Sequence, residues 1–336
     1  MASSPFRVFV SSNSTEVLRR AGPTLEADSV KANVILPILQ KWDRRSPGAD
    51  INDHKWFIIY TESQGQKNIL YIASCTNGSM GRYPLFICTT LPYSWLSNEL
   101  YQGHIVSAMK LLVTTLLRHV APSRVYSTFG QEIVIGIFSR LWTEETGIRA
   151  LEEPYYHAKI SHSTAATVHA CDVQYLELPN EETEIRLARR EDCPAIADLT
   201  YGFAGESAFE EAKILITNRE VWVYNVWPRG RPDLTRTASI AAFSRNTDTM
   251  ATITKVYTHP DFRGQRRAER LVRAVCKHLL LTKSYVALFV GINNKAANVY
   301  RRVGFVGLDN NSPREGAADR WIEIGFDPEY VQLGHW

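Results

Sequence analysis

Val256-Tyr257-Thr258-His259-Pro260-Asp261-Phe262-Arg263-Gly264-Gln265-Arg266-Arg267-Ala268-Glu269-Arg270-Leu271 is the stretch on which the reading of this chain turns. A strand runs through a Pro-Asp turn into a glycine-containing loop that opens an arginine-rich helix. Such a junction aims unpaired backbone N–H groups and the positive end of a helix dipole at one point, which suits a pyrophosphate. The plainer alternative is an ordinary turn followed by a solvated basic face. Between Arg263 and Lys283 the basic residues Arg263, Arg266, Arg267, Arg270, Arg273, Lys277 and Lys283 face a single acid, Glu269, while the whole chain carries a net charge of only +3. An anionic ligand is expected there.

Working outward, the second half reads as a short strand at 185–188, helices at 193–203 and 208–217, and strands at 221–226, 238–244 and 250–258. The helix from about 264 to 281 follows, then a strand at 285–290, a helix at 295–303 ended by Gly304, and a strand at 320–326. The first half opens with a polar-capped helical stretch at 25–40. Three extended runs follow at 56–61, 69–74 and 84–90, then a helix at 100–120 carrying Ile105, Met109, Leu112 and Leu116 at helical spacing. A strand at 124–128, a helix at 133–145 and an extended run at 155–160 complete it. Between Cys171 and Glu184 the sequence turns polar and acidic, as an exposed connector does. The expected division is residues 1–175, a connector at 176–184, and residues 185–336.

Length and composition agree with two soluble domains: 336 residues, 45% hydrophobic and 22% charged. Five scattered cysteines lack metal or disulfide spacing, so no metal site is expected. No H-E-x-x-H, G-x-S-x-G or G-x-x-x-x-G-K-[ST] occurs, which removes three enzyme classes by their usual signatures. Neither a secretory leader nor an apolar run of membrane length is present, giving a cytoplasmic expectation with no membrane partner. Nucleic-acid binding is disfavoured by the modest charge and the absence of an interleaved aromatic motif.

The second informative stretch is Val290-Gly291-Ile292-Asn293-Asn294-Lys295-Ala296-Ala297-Asn298-Val299-Tyr300-Arg301-Arg302-Val303-Gly304-Phe305. Together the two stretches resemble the acetyl-CoA-binding signature of the GNAT acyltransferase superfamily, with tandem-domain acetyltransferases and glycine N-acyltransferases nearest in look. The loop pattern R/Q-x-x-G-x-G/A falls on Arg263, Gly264, Gln265, Arg266, Arg267 and Ala268. The pattern N-x-x-A-x-x-x-Y-x-x-x-G-F falls on Asn293, Ala296, Tyr300, Gly304 and Phe305. One position departs from the pattern: Arg266 stands where the family has its middle glycine. Helical φ/ψ at Arg266, with the guanidinium turned outward, is the expected way to keep the loop amides available.

The resemblance implies an α/β fold of two GNAT-like domains in tandem, each a mixed, mostly antiparallel sheet flanked by helices. It further implies a degenerate first domain forming a lid or acceptor-pocket wall. The implied activity is acyl transfer from acetyl-CoA to the amine of a small molecule or amino acid by direct attack. A protein N-acetyltransferase and a catalytically silent CoA-binding scaffold are the alternatives. Implied donor-binding residues are Val256, Thr258, Arg263, Gly264, Gln265, Arg266, Arg267, Ala268 and Asn293, the last as a CoA contact or helix cap. Tyr300 is the implied general acid. The base is expected on the strand before the loop, yet 250–258 holds no carboxylate, so Glu206, in the loop between two helices, is the candidate. His259 reads as a turn residue.

Overall fold

The computed structural model describes residues 5–175, 179–308 and 319–334. The chain divides into two compact units, Met1–Ile160 with Asp319–Trp336, and Ser161–Ala318.

In the first unit β1 (Phe6–Ser11) leads into α1 (Ser14–Ala27), whose start is capped by Asn13 Oδ1 accepting the Glu16 N–H at 3.1 Å. α2 (Leu36–Arg45), β2 (Lys55–Ser63), β3 (Gln66–Cys75) and β4 (Leu85–Thr89) follow. After the short α3 (Tyr93–Leu96) come α4 (Glu99–His119), β5 (Ser127–Gln131), α5 (Glu132–Thr146) and β6 (Tyr156–Ser163). α5 stops at Gly147, whose φ of 74° only glycine adopts freely. The strands are antiparallel except for the β4–β5 pair. One face of the sheet, with Phe57, Ile59, Tyr71 and Ile87, packs on Met109, Leu112 and Leu116 of α4 and Phe138 and Trp142 of α5. Alternate residues of the same strands, Ile58, Ile72 and Phe86, are buried on the other face. That double burial explains the unbroken apolar run Trp56–Ile59.

In the second unit α6 (Ala165–Ala170) precedes β7 (Glu181–Leu187), α7 (Cys193–Ala204), α8 (Ala208–Thr217), β8 (Val221–Pro228), β9 (Arg236–Ser244) and β10 (Met250–Thr258). Then come α9 (Arg267–Leu279), β11 (Tyr285–Gly291) and α10 (Ala297–Val303). The sheet order is β7-β8-β9-β10-β11, antiparallel except between β10 and β11. α7 and α8 cover one face over Val221, Val223, Ile240 and Ala242. Leu271, Val275 and Cys276 of α9, with Val303 and Phe305, cover the other over Ala241, Ala251, Ile253 and Leu288. The order strand-strand-strand-helix-strand-helix thus occurs twice, as β2-β3-β4-α4-β5-α5 and as β8-β9-β10-α9-β11-α10.

Four expectations change. The final strand β12 (Arg320–Gly325) does not close the second unit; it lies between β5 and β6, antiparallel to both, and buries Trp321 in the first. Residues from Ser161 onward already belong to the second unit, so 1–175 is not the first compact body. The expected connector at 176–184 falls partly outside the described residues, and from Glu181 it is strand, paired Glu181↔Pro228 through Leu187↔Trp222. Its acidity is used rather than solvated: Glu181 meets Arg267 and Glu182 accepts from Trp227 Nε1. At the N-terminus, β1 and most of α1 precede the helix expected at 25–40. Among the described residues no helix is long and apolar enough to cross a membrane.

Candidate active site

β10 and β11 are paired from Met250↔Tyr285 to Ile253↔Leu288 and then part, although β10 continues to Thr258 and β11 to Gly291. A register shift between Ile253 and Lys255 on the β9 side begins where that pairing ends. Bulges bend a strand and raise its twist, which opens the gap. His259 N–H donates to Ala238 O at 2.9 Å. Because antiparallel pairing alternates, Tyr257 and His259 direct their backbone groups to β9, while those of Val256 and Thr258 face the gap. Arg263 Nε reaches the Thr258 carbonyl at 3.1 Å.

Past Thr258 the chain turns through Pro260–Phe262, where His259 Nδ1 accepts the Asp261 N–H at 3.3 Å. His259 is therefore a turn cap, as its place in the sequence suggested. Arg270 N–H, bonded to Arg266 O at 3.0 Å, is the first helical donor used. Among the described residues the N–H groups of 264–269 meet no backbone oxygen. Gly264 has φ 78° and open space where a Cβ would stand, so it is needed for its backbone angle and not for clearance. The loop presents exposed donors ahead of a helix start, which fits a pyrophosphate.

Arg266 differs from expectation: it lies in the left-handed region at φ 56°, ψ 21°, with its side chain exposed. The arginine reproduces the conformation a glycine would supply, and the loop amides stay available by that route and not by a right-handed turn. Much of the basic run, expected to meet an anionic ligand, is instead consumed internally. Arg267 is buried, donating to Glu181 at 2.6 Å and to Gln265 Oε1 at 2.7 Å, so only its backbone N–H can serve a ligand at the loop. Arg273 donates to Tyr175 Oη at 3.0 Å and the Arg302 carbonyl at 2.6 Å, and Lys277 pairs with Asp172. Arg263 and Arg266 remain exposed at the loop. Beside it, a cavity of about 660 Å³ is lined by Glu182, Tyr224, Trp227, Arg229, Gln265 and Arg270.

Beyond the parted strands, Tyr300 sits half-buried on α10, edge-on to Phe305 at 5.8 Å between ring centroids. Asn293 is exposed and does not cap this helix, whose N-cap position, Ala296, has no side-chain cap bond; Asn294 Oδ1 accepts the Ala296 N–H at 2.9 Å in the turn before it. Gly304 ends the helix at φ 113°, and a Cβ there would stand 2.5 Å from the Thr167 carbonyl oxygen.

Glu206 lies exposed in the single turn between α7 and α8 and, among the described residues, makes no hydrogen bond or ion pair. Nothing in the sequence marks out a different carboxylate. Glu211, one helical turn further on, reaches across to β10 and ion-pairs with Lys255, both side chains being largely buried. Pairing between a helix and a strand 44 residues apart has no local signature. Among the described residues no group of three His, Cys, Asp or Glu side chains is placed to hold a metal ion.

Residues 218–307 match the model of the acetyltransferase (GNAT) domain. No curated protein matches the sequence. Among solved structures, a Drosophila protein aligns over 97% of this chain and 99% of its own, with 12% identity and a TM-score of 0.60. A GCN5-related N-acetyltransferase from Sphaerobacter thermophilus aligns over 94% of each chain, with 14% identity and a TM-score of 0.50. A tandem GNAT protein from the clavulanic acid biosynthesis pathway covers 95% of this chain and 98% of its own, with 11% identity and a TM-score of 0.48. GNAT acetyltransferases use acetyl-CoA as co-substrate, and the open loop before α9 suits its pyrophosphate. The chain carries a GNAT acetyltransferase domain in its second unit, within a two-unit α/β fold shared over nearly its whole length with a GCN5-related N-acetyltransferase.

Proposed function

We propose that the protein is an N-acyltransferase that moves an acetyl group from acetyl-CoA to the amine of a small molecule or amino acid. The observation that carries this reading is the gap between β10 and β11, opening directly beneath the unclaimed amides at the start of α9. Acetyl-CoA, when bound, supplies an acyl group activated as a thioester. The residues of the chain do the rest. The amides of Gly264, Gln265, Arg266, Arg267 and Ala268 hold the pyrophosphate, with Arg263 and Arg266 adding charge at the rim. Val256 and Thr258 offer strand-edge backbone to the pantetheine arm. Tyr300 gives its phenolic proton to the departing sulfur.

Release of free thiol from acetyl-CoA, measured with and without added amines, tests the reading. Amine-dependent release is expected; acetyl-CoA binding without turnover would favour a scaffold. Tyr300→Phe keeps the ring packed on Phe305, so it should lower kcat on the order of 10²-fold with acetyl-CoA affinity nearly unchanged. Wild-type kcat in that variant would make Tyr300 a packing residue.

A further inference from the structure

Attack on a thioester by an amine requires a group that accepts a proton from nitrogen, and no carboxylate lies on β10 itself. Among the described residues, Glu211 Oε2 stands apart as a buried carboxylate oxygen with no hydrogen-bond partner. Its twin, Oε1, is held by Lys255 Nζ. The other buried carboxylates engaged in the second unit are spent: Glu269 on Tyr175 and Arg302, Asp192 on Arg186 and the Arg189 N–H. A buried acceptor left unsatisfied is destabilising, and such groups mark places where a donor is meant to arrive.

The position of Glu211 is specific. Lys255 is two residues beyond the last β10–β11 pair, at the mouth of the gap. Tyr257, the next residue on that side of β10, packs on the cluster under α7 and α8. Glu211 therefore reaches the gap from the α7–α8 face, opposite the face covered by α9 and α10. A donor thioester threaded between the strands would have this carboxylate on the side from which a second substrate can approach.

We infer that Glu211 is the catalytic base, its Oε2 accepting the N–H of the attacking amine; the assignment rests on the acyl-transfer reading above. As the N–C bond forms and the C–S bond breaks, nitrogen gives a proton to Glu211 Oε2 and sulfur takes one from the Tyr300 hydroxyl. Glu211 then returns its proton to solvent and the Tyr300 phenolate regains one. Lys255, holding the twin oxygen Oε1, fixes the orientation of the carboxylate. A carboxylate can take this proton because nitrogen becomes far more acidic once it bonds to the acyl carbon.

The test uses the full chain with acetyl-CoA and three amines, glycine, spermidine and phenylethylamine. Thiol release gives kcat/KM and calorimetry gives the acetyl-CoA Kd. Glu211→Gln should lower kcat/KM on the order of 10²-fold or more and leave the Kd within about twofold. Because Glu211→Gln strands the Lys255 charge, the double variant Glu211→Gln/Lys255→Met removes both charges and should fold while remaining as slow. Wild-type turnover in the double variant would reduce the pair to a structural tie and overturn the assignment alone. Thiol release by the wild type from none of the three amines would overturn the transfer reading, and the assignment with it.

Discussion

Arg266 stands at φ 56° and ψ 21°, a region where a Cβ crowds the following carbonyl and an L-residue is strained by roughly 1 kcal/mol. Arg266→Gly should relieve that strain, partly offset by the greater freedom of glycine in the unfolded chain, for a net gain of up to about 1 kcal/mol. Denaturant midpoints would show it, and acetyl-CoA affinity should fall only by the share of the Arg266 rim charge, because the loop amides keep their directions; a destabilised variant would mean that the side chain holds the loop together. A second residue is strained electrostatically. His54 is buried between Trp42 and Trp56 at ring-centroid distances of 4.6 and 5.6 Å, with Nε2 accepting the Asn77 N–H at 3.2 Å. Burial depresses its pKa from 6.5 to about 4. Protonation would break the Asn77 bond and bury a charge. The unfolded chain therefore binds the proton first as pH falls, and stability is full above pH 6.5, declines toward pH 4 and then levels off. The loss from this group is about 3 kcal/mol across that window. His54→Gln should flatten the decline in denaturation midpoint against pH, and an unchanged slope would assign it to other groups.

At the scale of elements, α10 depends on a close approach that the sequence pattern marks only by its glycine. Gly304 combines φ 113° with a Cβ position 2.5 Å from the carbonyl oxygen of Thr167. Gly304→Ala should therefore displace α6 or the end of α10 and cost on the order of 3 kcal/mol, with Tyr300 moved and turnover lost. A melting temperature within a degree of wild type would show that the two segments separate freely. The legibility of the elements follows the same logic. The spacing of Ile105, Met109, Leu112 and Leu116 in α4, and the extended runs of β9 and β10, are set by local residues alone, so these elements are readable. β1 escapes a reading of the sequence because Phe6-Arg7-Val8-Phe9-Val10 is short and leads at once into a helix, and the strand expected at 185–188 begins four residues earlier, at Glu181, because its acidic residues look solvated until Arg267 and Trp227 are brought beside them. Glu206 is visible as a candidate in the sequence and Glu211 is not, for a similar reason. Proximity along the chain to a loop is visible in a sequence, whereas an ion pair between α8 and β10 is created by packing.

For the whole molecule, the decisive element is the one furthest along the chain. β12 pairs Trp321↔Gln131 through Gly325↔Ser127 on one side and Arg320↔Lys159 through Glu323↔Tyr156 on the other, so it is an interior strand of the first unit. Trp321 and Phe326 are fully buried there, and Glu323 accepts from Ser127 Oγ at 2.7 Å. Burying two such aromatic side chains contributes roughly 5 kcal/mol. That is comparable with the whole stability of an ordinary domain, about 5–15 kcal/mol, before the exposed edges of β5 and β6 are considered. Removing residues 319–336 should therefore unfold the first unit, although the deletion lies at the opposite end of the chain. The second unit, whose core of Leu271, Val275, Ala251 and Leu288 contains none of the deleted residues, should persist and keep its acetyl-CoA affinity. Limited proteolysis followed by mass mapping would decide between the outcomes. Cleavage spread through residues 5–160 with 161–308 protected is expected. Protection of 5–160 with loss of 161–308 would mean that β12 serves the second unit after all.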